Sequence, residues 1–201
     1  MKRDQFLTEM VRSELAEIVG QEYVSVAESD KLVYSTDWAW MPQMWLDRGQ
    51  PLHPPDYIVH PESAEEISEI MDIANKYRLP VVPWGGGSGS QGGALPIFGG
   101  ILLDMKRMNK IIRIDEKSLT VTAQAGIIIS QLEWAVNEVG LTFPHYAASS
   151  NCATLGGALA PRGTGTVSTK YGKAEDMVLS MQVVLPTGEI LRMGSAEAET
   201  I

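Results

Sequence analysis

The chain has 201 residues, 44% hydrophobic and 20% charged, enough for one large domain or two small ones of ordinary globular composition. Its formal charge of -9 argues against a nucleic-acid partner, which a basic patch would mark. The single cysteine, Cys152, excludes an internal disulfide, and no apolar run approaches the roughly 18 residues of a membrane span, so a cytoplasmic protein is expected.

Asp4, Glu9 and Glu14 break up any leader-like apolar core at the N-terminus. Phe6, Leu7, Met10, Val11, Leu15, Ile18 and Val19 instead recur at helical spacing and predict an amphipathic helix over 4–19, stopped by Gly20. Residues 35–55 are rich in Trp, Met and Pro and read as irregular. Trp38, Trp40 and Trp45 there are expected to pack on the domain or on a partner. A β-α-β unit follows, with residues 57–59 as a strand and a helix capped by Ser63, Glu66 completing the capping box. Ile67, Ile70, Met71 and Ala74 line one face of that helix, and residues 79–83 return as a strand. Residues 101–104, 111–114 and 119–124 read as strands. Ser130 with Glu133 predicts a second capped helix, with Leu132, Ala135, Val136 and Val139 buried and Gly140 as its stop. Residues 177–185 and 190–193 predict a hairpin turning at Pro186-Thr187-Gly188. The expected fold is α+β, two small α/β subdomains in which a helix-flanked mixed sheet is followed by a strand-rich sheet.

The strand over 79–83 leads into Pro83-Trp84-Gly85-Gly86-Gly87-Ser88-Gly89-Ser90-Gln91-Gly92-Gly93, six glycines in eleven residues. A loop with so few Cβ atoms can take positive φ and turn consecutive N–H groups toward one point, which makes an anion site. Gly87 to Gly92 satisfies G-x-G-x-x-G, but Pro96 and the Gly99-Gly100 pair oppose the helix that a Rossmann site requires next. A flexible linker is the bland alternative, opposed by the strand-like runs on both sides. A second small-residue region holds Ala148, Ser149, Ser150, Asn151, Cys152, Ala153, Thr154, Gly156 and Gly157, then Pro161, Arg162, Gly163 and Thr164. Two such loops suit a long, doubly charged ligand such as a dinucleotide, with Arg162 as the only fixed positive charge nearby. Close packing of a helix start on a sheet is the competing account of Gly156-Gly157, and a solvated arginine that of Arg162.

Several of these motifs, in this order, resemble the FAD-binding domain of the vanillyl-alcohol oxidase/p-cresol methylhydroxylase superfamily. They are Pro83 to Gly89, Gly100 to Asn109, Leu119 to Gly126, Ala153-Thr154-Leu155-Gly156-Gly157, Lys170-Tyr171-Gly172 and Val183 to Ile190. The branch they resemble most is that of the glycolate oxidase FAD subunit, D-lactate dehydrogenase and alkyl-dihydroxyacetone-phosphate synthase. The resemblance implies an N-terminal extension over 1–54 and an FAD-binding domain over 55–201, with FAD between the two subdomains. It implies that Pro83, Trp84, Gly85, Gly86, Gly87, Ser88 and Gly89 hold the pyrophosphate. Ala148 to Thr154 (Ala148, Ser149, Ser150, Asn151, Cys152, Ala153, Thr154), Gly157, Pro161, Arg162, Gly163 and Thr164 then flank the ring and ribityl chain. Trp84 replaces the Arg or Tyr of many relatives, and no His in the first loop supports a covalent flavin link. His145 is expected to be structural or exposed rather than near the flavin. No metal is implied, and no catalytic residue is assigned.

The implied function is the FAD-binding portion of an oxidoreductase that oxidises a glycolate- or D-lactate-type 2-hydroxy acid by hydride transfer to flavin N5. Alternatives within the resemblance are a phenol or alcohol oxidase, an alkyl-dihydroxyacetone-phosphate synthase-like enzyme, or a non-catalytic FAD-holding subunit. Relatives carry a further segment and a cap domain, so the small-molecule substrate is expected to meet a cap or partner subunit, as in a hetero-oligomer.

Overall fold

The N-terminal apolar spacing is realised as α1 (Lys2–Val19) in the computed structural model, which describes residues 2–194. Val11, Leu15 and Val19 form its buried stripe, whereas Phe6 and Leu7 are exposed; the apolar pattern runs one turn beyond what the fold buries. The chain continues through β1 (Val24–Ser25), α2 (Glu28–Val33), α3 (Trp40–Asp47), β2 (Tyr57–Val59), α4 (Ala64–Tyr77), β3 (Val81–Trp84) and β4 (Ile101–Asp104). Then come β5 (Ile111–Asp115), β6 (Thr120–Ala123), α5 (Ile129–Asn137), α6 (Leu155–Leu159), α7 (Ser168–Tyr171), β7 (Ser180–Val184) and β8 (Ile190–Gly194). The content is mixed helix and strand, as expected for α+β. Two compact units divide it: one holds the residues up to Trp84, Gly89–Asp104 and Gln182–Arg192, the other Gly85–Ser88, Met105–Met181 and the residues from Met193 on.

The first unit is organised by a four-stranded sheet of order β1-β2-β4-β3, with β2 and β3 both parallel to β4 and β1 antiparallel to β2. The expected β-α-β unit is present, but β4 lies between its two strands. All four β4 residues are buried, the continuous apolar run of a central parallel strand interrupted only by Asp104. That carboxylate accepts the Tyr34 hydroxyl at 2.5 Å, and burial followed by this bond pushes the Tyr34 phenol well above its ordinary range. The Ser63 hydroxyl caps α4 by accepting from the Glu66 N–H at 3.1 Å, while the Glu66 carboxylate accepts from the Glu62 N–H at 2.7 Å rather than from Ser63. The buried face of α4 is Ile67, Ile70, Ile73 and Ala74, with Ile73 in the place expected for Met71. Helix α1 is tied to α4 by Glu14, which accepts from Lys76 at 2.9 Å and from Tyr77 at 2.7 Å. The hairpin tip also anchors on α4: Ser68 donates to the Gly188 carbonyl at 2.5 Å and Asn75 to the Pro186 carbonyl at 2.8 Å.

The stretch 35–55 is not irregular throughout, because α3 occupies its middle. Pro42 stands in the first turn of α3, where a missing N–H breaks no helical bond. Trp38 and Trp40 stay exposed, whereas Trp45 packs edge-on to His53 with ring centroids 5.0 Å apart.

In the second unit, β5 pairs antiparallel with β6, with a register shift between Ile111 and Arg113. Leu132 and Val136 of α5 join Ile127 in a cluster with Ile111, Ile114, Val121 and Phe143 packed against it. Val139 lies outside that core, exposed beyond the end of α5. The start of α5 departs from expectation. Its N-cap is Ile128, which forms an isolated bridge with Thr154, and Ser130 makes no cap; its N–H donates to the Ser150 carbonyl at 3.0 Å. A neighbouring chain segment satisfies this helix end, so no hydroxyl is required.

Candidate functional site

Three segments of the second unit meet: Gly85–Ser88, the turn after β4, and the small-residue stretch ending in α6. A Cβ on Gly86 would lie 1.9 Å from the Cys152 carbonyl oxygen, and one on Gly85 would lie 2.3 Å from Thr154 Oγ1. The first loop therefore packs against residues 152–154 at a distance that only glycine permits. Gly87 has φ +61°, the left-handed conformation that glycine adopts without strain. The consecutive N–H groups of Gly86, Gly87 and Ser88 are half-buried and donate to no acceptor among the described residues. Three consecutive N–H groups without a protein acceptor present a run of donors of the kind that suits an anion.

The second loop uses most of its polar groups on itself. Ser149 O accepts from the N–H groups of Cys152 and Ala153 at 2.9 and 2.7 Å, and Ser150 Oγ donates to Ala147 O at 2.7 Å. Cys152 is a free thiol whose Sγ lies 3.3 Å from Ser149 O. Thr154 is buried at the N-cap of α6, where its Oγ1 accepts from the Gly157 N–H at 3.2 Å. Ala153 packs with Ile129, Ala158 and Ala174. A Cβ on Gly156 would meet the Ala125 Cβ at 2.9 Å, so this glycine serves close packing of the helix start on the residues after β6. Ala148, Asn151 and Gly157 are exposed.

Pro161, Arg162 and Thr164 are exposed, and Gly163 is half-buried. Arg162 has φ +56° and its Nε stands 3.6 Å from a Glu175 carboxylate oxygen, with three-quarters of its side chain exposed. Pro83 is exposed on β3; Trp84 buries its ring with Ile58 and Leu102 and meets Tyr34 edge-on at 5.2 Å. Gly89 lies in the first unit with open space where a Cβ would be. His145 is fully buried, and its Nδ1 has no hydrogen-bond partner among the described residues. Burial pushes its pKa below the ordinary histidine value, so the ring is neutral at pH 7.

Lys106 adds a cation that the sequence does not mark. Its Nζ donates to the Gly85 carbonyl at 3.2 Å, part-buried, so Arg162 is not the only cation beside these loops. A contact between residues 21 positions apart leaves no local signal. Among the described residues, no group of three or more His, Cys, Asp or Glu side chains is gathered for a metal ion, and no helix is long and apolar enough to cross a membrane.

Residues 55–194 match a family model described as FAD binding domain. The chain is 34% identical over 195 residues to glycolate oxidase subunit GlcD of Bacillus subtilis (strain 168), spanning 97% of this chain and 40% of that protein. It is 35% identical over 146 residues to a D-lactate dehydrogenase of Anaerostipes hadrus, spanning 73% of this chain and 30% of that protein. A solved structure of alkyldihydroxyacetonephosphate synthase aligns with a TM-score of 0.84 at 31% identity, across 92% of this chain and 38% of that one. The chain thus spans well under half the length of these relatives.

Proposed function

The chain belongs to the FAD-binding domain family, within the vanillyl-alcohol oxidase/p-cresol methylhydroxylase superfamily, and from that premise we propose that it is the flavin-holding part of a 2-hydroxy-acid oxidoreductase. The observation that carries the flavin reading is the run of unpartnered N–H groups at Gly86, Gly87 and Ser88. An FAD diphosphate fits them: it is anionic, rich in acceptors, and thin enough to approach bare main chain. Gly87 turns the backbone, while Gly85 and Gly86 seat the loop on residues 152–154. Gly89 leaves open space beside the run, and exposed Asn151, Pro161, Arg162 and Thr164 are available to the remainder of the cofactor. Bound FAD supplies two-electron redox chemistry at its isoalloxazine ring. The protein's part is to bind, orient and shield that ring.

The substrate class, a small 2-hydroxy acid of the glycolate or D-lactate type, is supported by the names of the relatives above. Their greater length supports placing substrate recognition and acid/base groups on a cap or partner subunit. The single free thiol supports a reducing, cytoplasmic setting. A second reading, an alkyl-dihydroxyacetone-phosphate synthase-like enzyme, is favoured by the structural similarity to that synthase. The test is to titrate FAD into the purified chain, then add glycolate or D-lactate anaerobically in the presence of its cap or partner subunit. Saturable FAD binding with bleaching by a 2-hydroxy acid supports the proposal. Binding without bleaching by either acid favours the second reading, and absence of FAD binding rejects both.

A further inference from the structure

We infer that Lys106 is a positioning residue for the first glycine loop, holding the Gly85 carbonyl so that the Gly86 N–H faces the cofactor's diphosphate; this rests on the flavin reading above. The C=O of Gly85 and the N–H of Gly86 belong to one planar trans peptide, in which the two bonds point to opposite sides. The Lys106 ammonium, 3.2 Å from that oxygen, therefore fixes where the N–H points: away from the lysine.

Both ends of this clamp are anchored. Lys106 stands in the short turn Met105–Arg107 directly after β4. A Cβ on Gly126 would lie 1.7 Å from the Met105 carbonyl oxygen and 2.8 Å from that of Met108, and the Gly126 N–H donates to Met108 O at 2.8 Å. The turn that carries the lysine is thus held backbone to backbone. The loop itself is walled by the Cys152 carbonyl and by Thr154. A glycine run loses more conformational freedom on ordering than any other sequence. Fixing its peptide plane in advance spares the cofactor that cost, since preorganised donors need no rearrangement when the anion arrives.

The test uses the full chain carrying Lys106→Met, Lys106→Arg or Lys106→Gln. Calorimetric FAD titration is paired with backbone amide order parameters across residues 85–88, from NMR relaxation in the absence of FAD. Lys106→Met is expected to weaken FAD binding by at least about tenfold, the loss of one charge-assisted bond. It should also lower the order parameters at 86–88 while other segments keep wild-type values. Lys106→Arg should restore affinity to within about threefold, because the guanidinium can still donate to a carbonyl. Wild-type affinity and order in Lys106→Met would overturn the inference and leave the flavin reading standing. Lowered order in Lys106→Met of a protein whose wild type binds no FAD would remove the flavin reading and keep the clamp. Lost affinity with unchanged order would reduce Lys106 to a bare charge and overturn the positioning role. Should Lys106→Met fail to fold, Lys106→Gln, which keeps a neutral donor, carries the same comparison.

Discussion

In the first glycine loop, the N–H groups of Gly86, Gly87 and Ser88 donate to nothing among the described residues. In the second, Cys152, Ala153 and Gly157 all donate within the loop or its helix cap. Both stretches are equally rich in small residues, yet one keeps its donors and the other spends them. Glycine therefore serves two ends here. Gly86 and Gly156 let chain segments of the protein touch each other, whereas Gly87 bends a loop whose amides remain open. A count of glycines does not separate these uses; the destination of each N–H does.

The largest expected effect is that of Gly86→Ala. The added methyl meets the Cys152 carbonyl, main chain that cannot swing aside, so the substitution should cost about 3 kcal/mol and abolish FAD binding. Urea denaturation checks the first part, and wild-type stability in this variant would mean that the two loops do not pack as described. Thr154→Val removes the acceptor for the Gly157 N–H in a buried setting and should cost about 1–2 kcal/mol in the same assay.

His145 sharpens the contrast between spent and open groups in another way. Its folded pKa is depressed, so its contribution to stability is present above the unfolded value of about 6.5 and is lost as pH falls through the folded value. His145→Phe should flatten the fall in urea midpoint between about pH 7 and pH 5, since the imidazole whose pKa is held down by burial no longer takes up a proton on unfolding. A slope equal to that of the wild type would show that other groups govern this range. The smallest effect on stability is expected for Gly89→Ala. Its methyl would enter open space, so stability should stay within about 0.5 kcal/mol of the wild type. FAD affinity should nonetheless drop if the diphosphate passes there, and calorimetry separates the two readouts.

Features set by local signals are legible in the sequence. The Ser63 cap, the positive-φ stop at Gly140 and the turn at Gly188 each depend on residues within one turn of the feature they set. Helix α3 was hidden because Pro42 and three tryptophans resemble loop composition, and only its position in the first turn makes the proline harmless. Ser130 misled for the opposite reason: a good cap signal was overridden by backbone bonding to residues 150–154. Within the candidate site, the glycines mark both small-residue loops, but which of them keeps its donors open shows only in the hydrogen bonding. Lys106 carries no sequence signal at all, because its partner is reached only after β4 has been laid down beside β3.

Trp84 immediately precedes the first glycine loop and is buried, whereas Trp38, Trp40 and Trp134 are largely exposed. An aqueous collisional quencher such as iodide will silence the exposed indoles first and leave the emission of Trp84 enriched in the remainder. The chain thus carries an intrinsic fluorophore one peptide bond away from the residues that would grip a flavin, and loss of that shielded emission by energy transfer would report cofactor arrival without any added label.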